Sequence, residues 1–164
     1  DAAATLQGSW PLGDLVRLTE DAAPAGDAVV RWTVRGERRA RPGGPAEPWL
    51  HLEAAATVRL TCQRCLQPME EPLAVARSFR FVADEAAAER EDELADEDVL
   101  ALPPRGRLDL QPLVEDELIL ALPIVPRHAA CPAPLPLRAA DPEAGDDPPK
   151  ANPFAALAAL KRRG

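Results

Sequence analysis

Two pairs of residues have the types and spacing to hold a metal ion. Cys62 and Cys65 lie in TCQRCLQP, and His128 and Cys131 lie in RHAACP. Zinc takes thiolate and imidazole ligands, and its structural sites are usually four-coordinate. A C-x-x-C at a hairpin tip aims both sulfurs at one point. An H-x-x-C after a helix closes the set if the helix returns the chain to that tip. Arg64, between the two cysteines, favours the thiolate. Two other readings stand beside zinc. Redox chemistry would want the first cysteine at a helix N-terminus in a βαβ unit. Here the motif follows one strand pattern, and Pro68 and Glu70 lead into another. The third reading is three idle thiols and a surface histidine.

Other chemistry is thinly staffed. The chain has no Tyr, two serines (Ser9 and Ser78) and two histidines (His51 and His128). Neither serine sits in a turn that would present a nucleophile. No glycine-rich nucleotide loop occurs. An enzyme with a small-molecule substrate is not expected. An odd cysteine count and an opening DAAATLQGSW without basic and apolar signal regions point to a reducing cytoplasm. No apolar run is long enough to span a membrane, so no membrane partner is expected either.

The elements that would position the cysteines read as strands and one helix. Four segments alternate with period two: DLVRLTE (14–20, the weakest), VVRWTVR (29–35), WLHLEAAATVRL (49–60) and PLAVARSFRFV (72–82). The last two form a hairpin with the cysteine turn as its tip. Leu50, Leu52, Ala54, Ala56, Val58 and Leu60 fall on one face of the first arm, and Leu73, Val75, Phe79 and Phe81 on one face of the second. Between the second and third strands, RGERRARPGGPAEP reads as a loop.

From Asp84 to Asp98, nine acids stand against the single Arg90. Such a block repels itself and reads as a solvated loop. In RLDLQPLVEDELILALP, Asp109 caps a helix on which Leu110, Leu113, Val114 and Leu118 recur at helical spacing. The expected class is α+β: an antiparallel sheet of about four strands, one main amphipathic helix and a short C-terminal helix. Residues 1–132 form the domain, with the acidic loop 84–98 inside it. A Pro- and Ala-rich linker follows over 133–150. Residues 151–164 form the last helix and basic tail, with Asn152 capping, Pro153 in its first turn and Phe154, Leu157 and Leu160 on one face.

The net charge of −8 is unevenly spread. Residues 1–83 balance, residues 84–149 hold seventeen acids against five bases, and the last fifteen hold four bases and no acid. Local fields, and not the average, decide what a basic patch attracts. Two patches could meet phosphate: Arg35, Arg38, Arg39 and Arg41, and Lys161, Arg162 and Arg163. Phosphate contacts of this kind bring salt-dependent affinity without sequence reading. An edge strand kept soluble by charge is the competing reading for the arginines.

VRLTCQRCLQPM, the acidic segment leading into LDLQPLVEDELILALPIVP, the following RHAAC and the terminal NPFAALAALKRR together resemble the YceD family, the large ribosomal RNA subunit accumulation proteins. The resemblance covers about residues 50–164. It implies a small bacterial cytoplasmic protein required for accumulation or processing of 23S ribosomal RNA. The family's cysteine pair falls on Cys62 and Cys65 and its H…C region on His128 and Cys131, which implies one structural zinc. The expected role is a non-catalytic factor for large-subunit biogenesis. Its partner is 23S rRNA or its precursor, or a large-subunit ribosomal protein. The alternative is a protein-interaction module or chaperone for a ribosomal protein, docking through the helix and the Asn152-Pro153-Phe154 tail without touching RNA. A processing nuclease is disfavoured, because the acids for two-metal catalysis crowd into one expected loop.

Overall fold

A computed structural model describes residues 4–41, 43–102 and 107–132. The linker and the C-terminal helix expected over 133–164, with Asn152, Pro153, Phe154, Lys161, Arg162 and Arg163, lie outside the described residues. The chain runs β1 (Ala4–Pro11), a 3-10 turn (Leu12–Asp14), α1 (Val16–Asp21), β2 (Ala23–Pro24), β3 (Val29–Arg39), β4 (Glu47–Thr61), β5 (Pro68–Val82), α2 (Glu85–Asp92), β6 (Asp98–Ala101) and α3 (Leu110–Leu120). The class is α+β.

The sheet differs from the expected one in size and sense. It has six strands, in the order β1-β3-β4-β5-β6 with β2 paired to β4. β6 runs parallel to β5, so the sheet is mixed. The long β4–β5 hairpin is as expected, with Leu50 opposite Phe79 and Thr61 opposite Pro68. Leu52, Ala54, Ala56, Val58 and Leu60 are buried, as are Leu73, Phe79 and Phe81, while Leu50 and Val75 are partly so. The alternation thus identified the core face, on which α1 and α3 pack through Leu15, Leu18, Val114 and Leu118.

The segment 14–20, expected as a strand, is instead the end of the 3-10 turn and most of α1. Leu12, Leu15, Leu18 and Ala22 are all buried at spacings of three and four, a helical pattern that emerges only when Leu12 and Ala22 are included. Each fully buried leucine contributes about 1.5–3 kcal/mol. α1 has no side-chain cap of its own. Glu115 of α3 caps it from outside: Oε1 accepts the Arg17 N–H at 2.7 Å and the Leu18 N–H at 3.2 Å, and Oε2 accepts Arg17 Nε at 3.0 Å. Glu115→Ala should cost about 2–3 kcal/mol, the scale of hydrogen bonds to a charged group. Urea unfolding measures it, and a loss under about 0.5 kcal/mol would mean that water replaces the cap.

β1 escapes a pattern search because it is an edge strand with a mostly exposed, uncharged sequence. It pairs with β3 from Ala4 opposite Gly36 to Pro11 opposite Val29. Trp10 stacks on Trp32, ring centroids 4.8 Å apart. Trp32 also lies over Gly8, where a Cβ would come within 2.6 Å of the indole. Glycine is required at that position by the indole.

The acidic segment is ordered, which corrects the loop expected over 84–98. Asp84 caps α2 by accepting the Ala87 N–H at 2.8 Å. Asp92 accepts the Val99 N–H at 3.0 Å, tying α2 to β6. Glu91 and Glu97 bind Arg80 of β5 at 2.6 and 2.9 Å. Asp98 pairs with Arg77 at 2.7 Å, and Arg77 also meets Glu117 of α3 at 3.3 Å. Burial pushes the Glu117 carboxyl up, incompletely offset by Arg77. Five of the nine acids are therefore internal fastenings. Self-repulsion is answered by two arginines that lie outside the acidic stretch in sequence. Asp109 caps α3 as expected, accepting the Gln111 N–H. Among the described residues no helix is long and apolar enough to cross a membrane.

Candidate metal centre

The β4–β5 turn is shaped by its own backbone. Cys62 N–H donates to Gln67 O at 3.0 Å, and Leu66 N–H donates to Cys62 O at 2.8 Å. Leu66 takes the left-handed conformation, with φ of 58°. That curl brings Cys65 back towards Cys62. The return of the second pair, the condition on which a closed site depends, is met by one backbone bond. After α3 the chain folds back until Gln63 N–H donates to Pro126 O at 2.9 Å. His128 and Cys131 follow directly.

Cys62, Cys65, His128 and Cys131 then converge, with ligand atoms all within 4.8 Å of one another. Cys65 Sγ and His128 Nδ1 are 3.4 Å apart. The His128 N–H points to Cys62 Sγ at 3.4 Å. Arg64, within the turn, reaches the second pair, Nε donating to Cys131 Sγ at 3.0 Å and Nη2 to the His128 carbonyl at 3.0 Å. All three thiols are free of disulfides. Arg64 thus contacts the cluster, as its place between the cysteines suggests.

The thiols respond differently to these surroundings. Burial by itself would raise Cys62, but the backbone N–H groups of His128, Cys65 and Arg64 donate to its sulfur and bring it down to about 5. Cys65 stays raised, chiefly by burial, with the Cys131 and Cys62 sulfurs adding to it and the Gln67 N–H opposing. A tetrahedral centre with Zn–S near 2.3 Å has ligand atoms about 3.8 Å apart. Three sulfurs and an imidazole already this close, one of them stabilised as thiolate, fit a soft, four-coordinate divalent ion. The arrangement can bind a metal. The helix N-terminus that redox chemistry would want is not there, since the turn joins two strands.

The basic cluster around β3 does not act as one patch. Strand period two sends Arg35 and Arg39 to the sheet face opposite the core and Arg38 to the other. Arg35 binds Glu37 at 2.6 Å, Arg39 binds the other Glu37 oxygen, and Arg41 binds Glu47 at 2.9 Å. The Arg39 guanidinium lies over the Trp49 ring, 3.9 Å from its centroid. Sequence reasoning missed Glu37 and His51, which stand beside these arginines. His51 Nε2 is 3.2 Å from Glu37, and His51 Nδ1 is 2.8 Å from Ser78 Oγ. A base therefore does stand next to a serine. Ser78 lies within the straight β4–β5 ladder, where neighbouring backbone groups are paired and form no oxyanion nest. Diagonal contact across β3, β4 and β5 carries no signal in a single sequence.

The family model for the large ribosomal RNA subunit accumulation protein YceD matches residues 50–161, which take in both halves of the metal centre. The chain belongs to the YceD family. A relative from Haemophilus influenzae, named large ribosomal RNA subunit accumulation protein YceD, is 35% identical over 108 residues. Those residues are 65% of this chain and 61% of the relative, so the match spans less than two thirds of the relative's length. No solved structure matches the chain. The YceD match begins within β4 and leaves β1 to β3 outside it. The family's name points to the large ribosomal subunit and its RNA.

Proposed function

We propose that this YceD-family protein is a non-catalytic factor supporting the synthesis, processing or stability of 23S ribosomal RNA in the bacterial cytoplasm. The observation that carries this reading is the family match across residues 50–161. In this reading Cys62, Cys65, His128 and Cys131 hold one structural zinc. The ion would fix the β4–β5 tip to the chain leaving α3, adding to the Gln63–Pro126 backbone bond and the contacts of Arg64 and the His128 N–H. Arg35 and Arg39, with Arg38, Arg41 and the tail residues Lys161, Arg162 and Arg163, are the candidates for contact with 23S rRNA or its precursor. Asn152, Pro153 and Phe154 belong with the tail as a docking element.

One observation favours a second reading, contact with a large-subunit ribosomal protein without RNA. Leu66 on the metal turn, Leu120 at the end of α3 and Ile124 on the return from it are 71%, 76% and 99% exposed. Exposed apolar residues of this size suit a protein surface better than a phosphate backbone. Sedimentation of tagged protein through a sucrose gradient, with RNA sequencing of every fraction, separates the readings. Migration with immature large subunits and recoverable 23S precursors supports RNA contact or residence on the particle. Migration only at the top, free of ribosomal RNA, supports a protein chaperone acting before the particle forms.

A further inference from the structure

Three donors from two strands converge on one carboxylate in an open part of the sheet. Glu37 Oε2 receives Arg35 Nη1 at 2.6 Å, and Oε1 receives Arg39 Nε together with His51 Nε2 at 3.2 Å. Ser78 buttresses the imidazole at 2.8 Å. If the hydroxyl donates to Nδ1, Nε2–H faces Glu37; Arg39 Nη2 also lies 3.3 Å from Nε2, so guanidinium, imidazole and carboxylate meet at one point. The Arg35 and Arg39 side chains are each 46% exposed, so solvent reaches the cluster from the open face. A phosphodiester, like a carboxylate, spreads one negative charge over two terminal oxygens. Donors placed to satisfy Glu37 are therefore placed to satisfy a backbone phosphate, and guanidinium groups prefer that planar, two-oxygen geometry.

Two neighbours favour a nucleotide over a protein carboxylate. The Trp49 ring holds the Arg39 guanidinium 3.9 Å above its centroid, and the half-exposed guanidinium is itself a plane on which a base can stack. Arg35, His51 and Ser78 also line a hollow of about 370 Å³, together with Thr5, Thr33 and Glu53. Hydroxyls and a carboxylate there suit a ribose with its 2′-OH. We infer that Arg35, Arg39 and His51 form a receptor for one phosphodiester of single-stranded RNA, with Glu37 as the resident anion that the RNA displaces. This rests on the RNA-contact reading above and deepens it. The Arg39, His51 and Arg35 contacts, in that order, hold the Glu37 carboxyl down to about 2, so an incoming phosphate meets a charged competitor. Glu37 then acts against binding, and its removal strengthens it.

The test uses the full chain and a fluorescein-labelled single-stranded RNA of mixed sequence, titrated by anisotropy over a range of salt. Glu37→Gln keeps the side chain's shape and should bind about fivefold tighter, the scale of the exposed ion pairs released. Arg35→Gln combined with Arg39→Gln should bind about tenfold more weakly. The same double variant should lower the slope of log K against log salt by about 0.7, the value for one phosphate no longer neutralised on a single strand. His51→Gln serves as a milder variant whose weakening must follow the same direction. Circular dichroism of each variant checks that the sheet is intact. If the unaltered chain binds and all variants bind alike, RNA contacts another surface, and this inference fails while the RNA reading survives. If no variant binds RNA and the chain still sediments with the particle, the RNA reading itself fails. Equal tightening of Glu37→Gln towards a polyglutamate peptide would make this a general anion site and overturn the RNA assignment.

Discussion

Arg80→Met should lower stability by about 3 kcal/mol or more, the cost of leaving buried charges without their partner. The Arg80 side chain is 8% exposed and faces Glu91, Glu97 and Glu47 at 2.6, 2.9 and 3.5 Å. With the guanidinium gone, three carboxylates face one another across an apolar stem. Glu91 and Glu97 are themselves 37% and 32% exposed and can turn to water, which keeps the loss near the lower end of the usual range of about 3–5 kcal/mol. Urea unfolding measures the total, and amide exchange should lose protection first in α2 and β6, which Arg80 fastens to β5. The pH dependence has a definite sign. Arg80 holds the Glu91 carboxyl below the usual range. Its contribution is present above the unfolded value and lost as pH falls through the folded one. The gap between the unaltered chain and Arg80→Met should therefore narrow in acid. A loss under about 1 kcal/mol with α2 still protected would mean that the acidic segment holds itself in place.

Cys62→Ser should abolish metal binding and lower the melting temperature by about 10 °C, corresponding to about 3–4 kcal/mol in a chain of this size. Cys62 is fully buried, and its sulfur also takes the His128 N–H. Cys131→Ser should cost less, because Cys131 is only partly buried and a hydroxyl can still accept from Arg64. Without a metal, Cys62→Ser would remove only a small buried sulfur, and a loss near about 1 kcal/mol would follow. Calorimetry on both variants, beside the unaltered chain treated with a chelator, reads the difference. The chelated chain should match Cys62→Ser.

Contrast between neighbouring residues shows what a single sequence can disclose. The β4–β5 hairpin was legible because its apolar positions repeat every two residues and both arms reach a buried face. Asp109 and α3 were legible from a cap followed by helical spacing. The metal pairs could be picked out by residue type, but their meeting depends on the Gln63 to Pro126 bond, which no spacing encodes. α1 was misread because its six residues carry one clear apolar pair, and its cap, Glu115, comes from nearly a hundred residues downstream. The acidic segment looked solvated because Arg80 and Arg77, which neutralise it, belong to a different strand. β6 disappeared into the same charge block. β1 hid behind Gly8 and Ser9, residues that serve the Trp32 indole and an edge. For the acidic segment and the cap of α1 the deciding partner was polar and distant in sequence, so neither period nor composition could point to it.

The acidic segment also changes the functional picture. A flexible polyanion could shield a basic ribosomal protein, but an ordered segment with five of its nine acids engaged leaves only Glu85, Glu89, Glu93 and Asp96 without an ion pair or cap among the described residues. Positive charge on the sheet face is likewise mostly answered by Glu37 and Glu47. Any polyanion must therefore compete for its contacts.

Native mass spectrometry of protein purified without chelators, paired with thiol titration, tests the metal centre most directly. One zinc per chain, with the thiols protected until the ion is removed, is the expected result. Metal-free protein with all three thiols reacting at once would contradict it, and Cys62, Cys65, His128 and Cys131 would then be a packed cluster with no ion to hold.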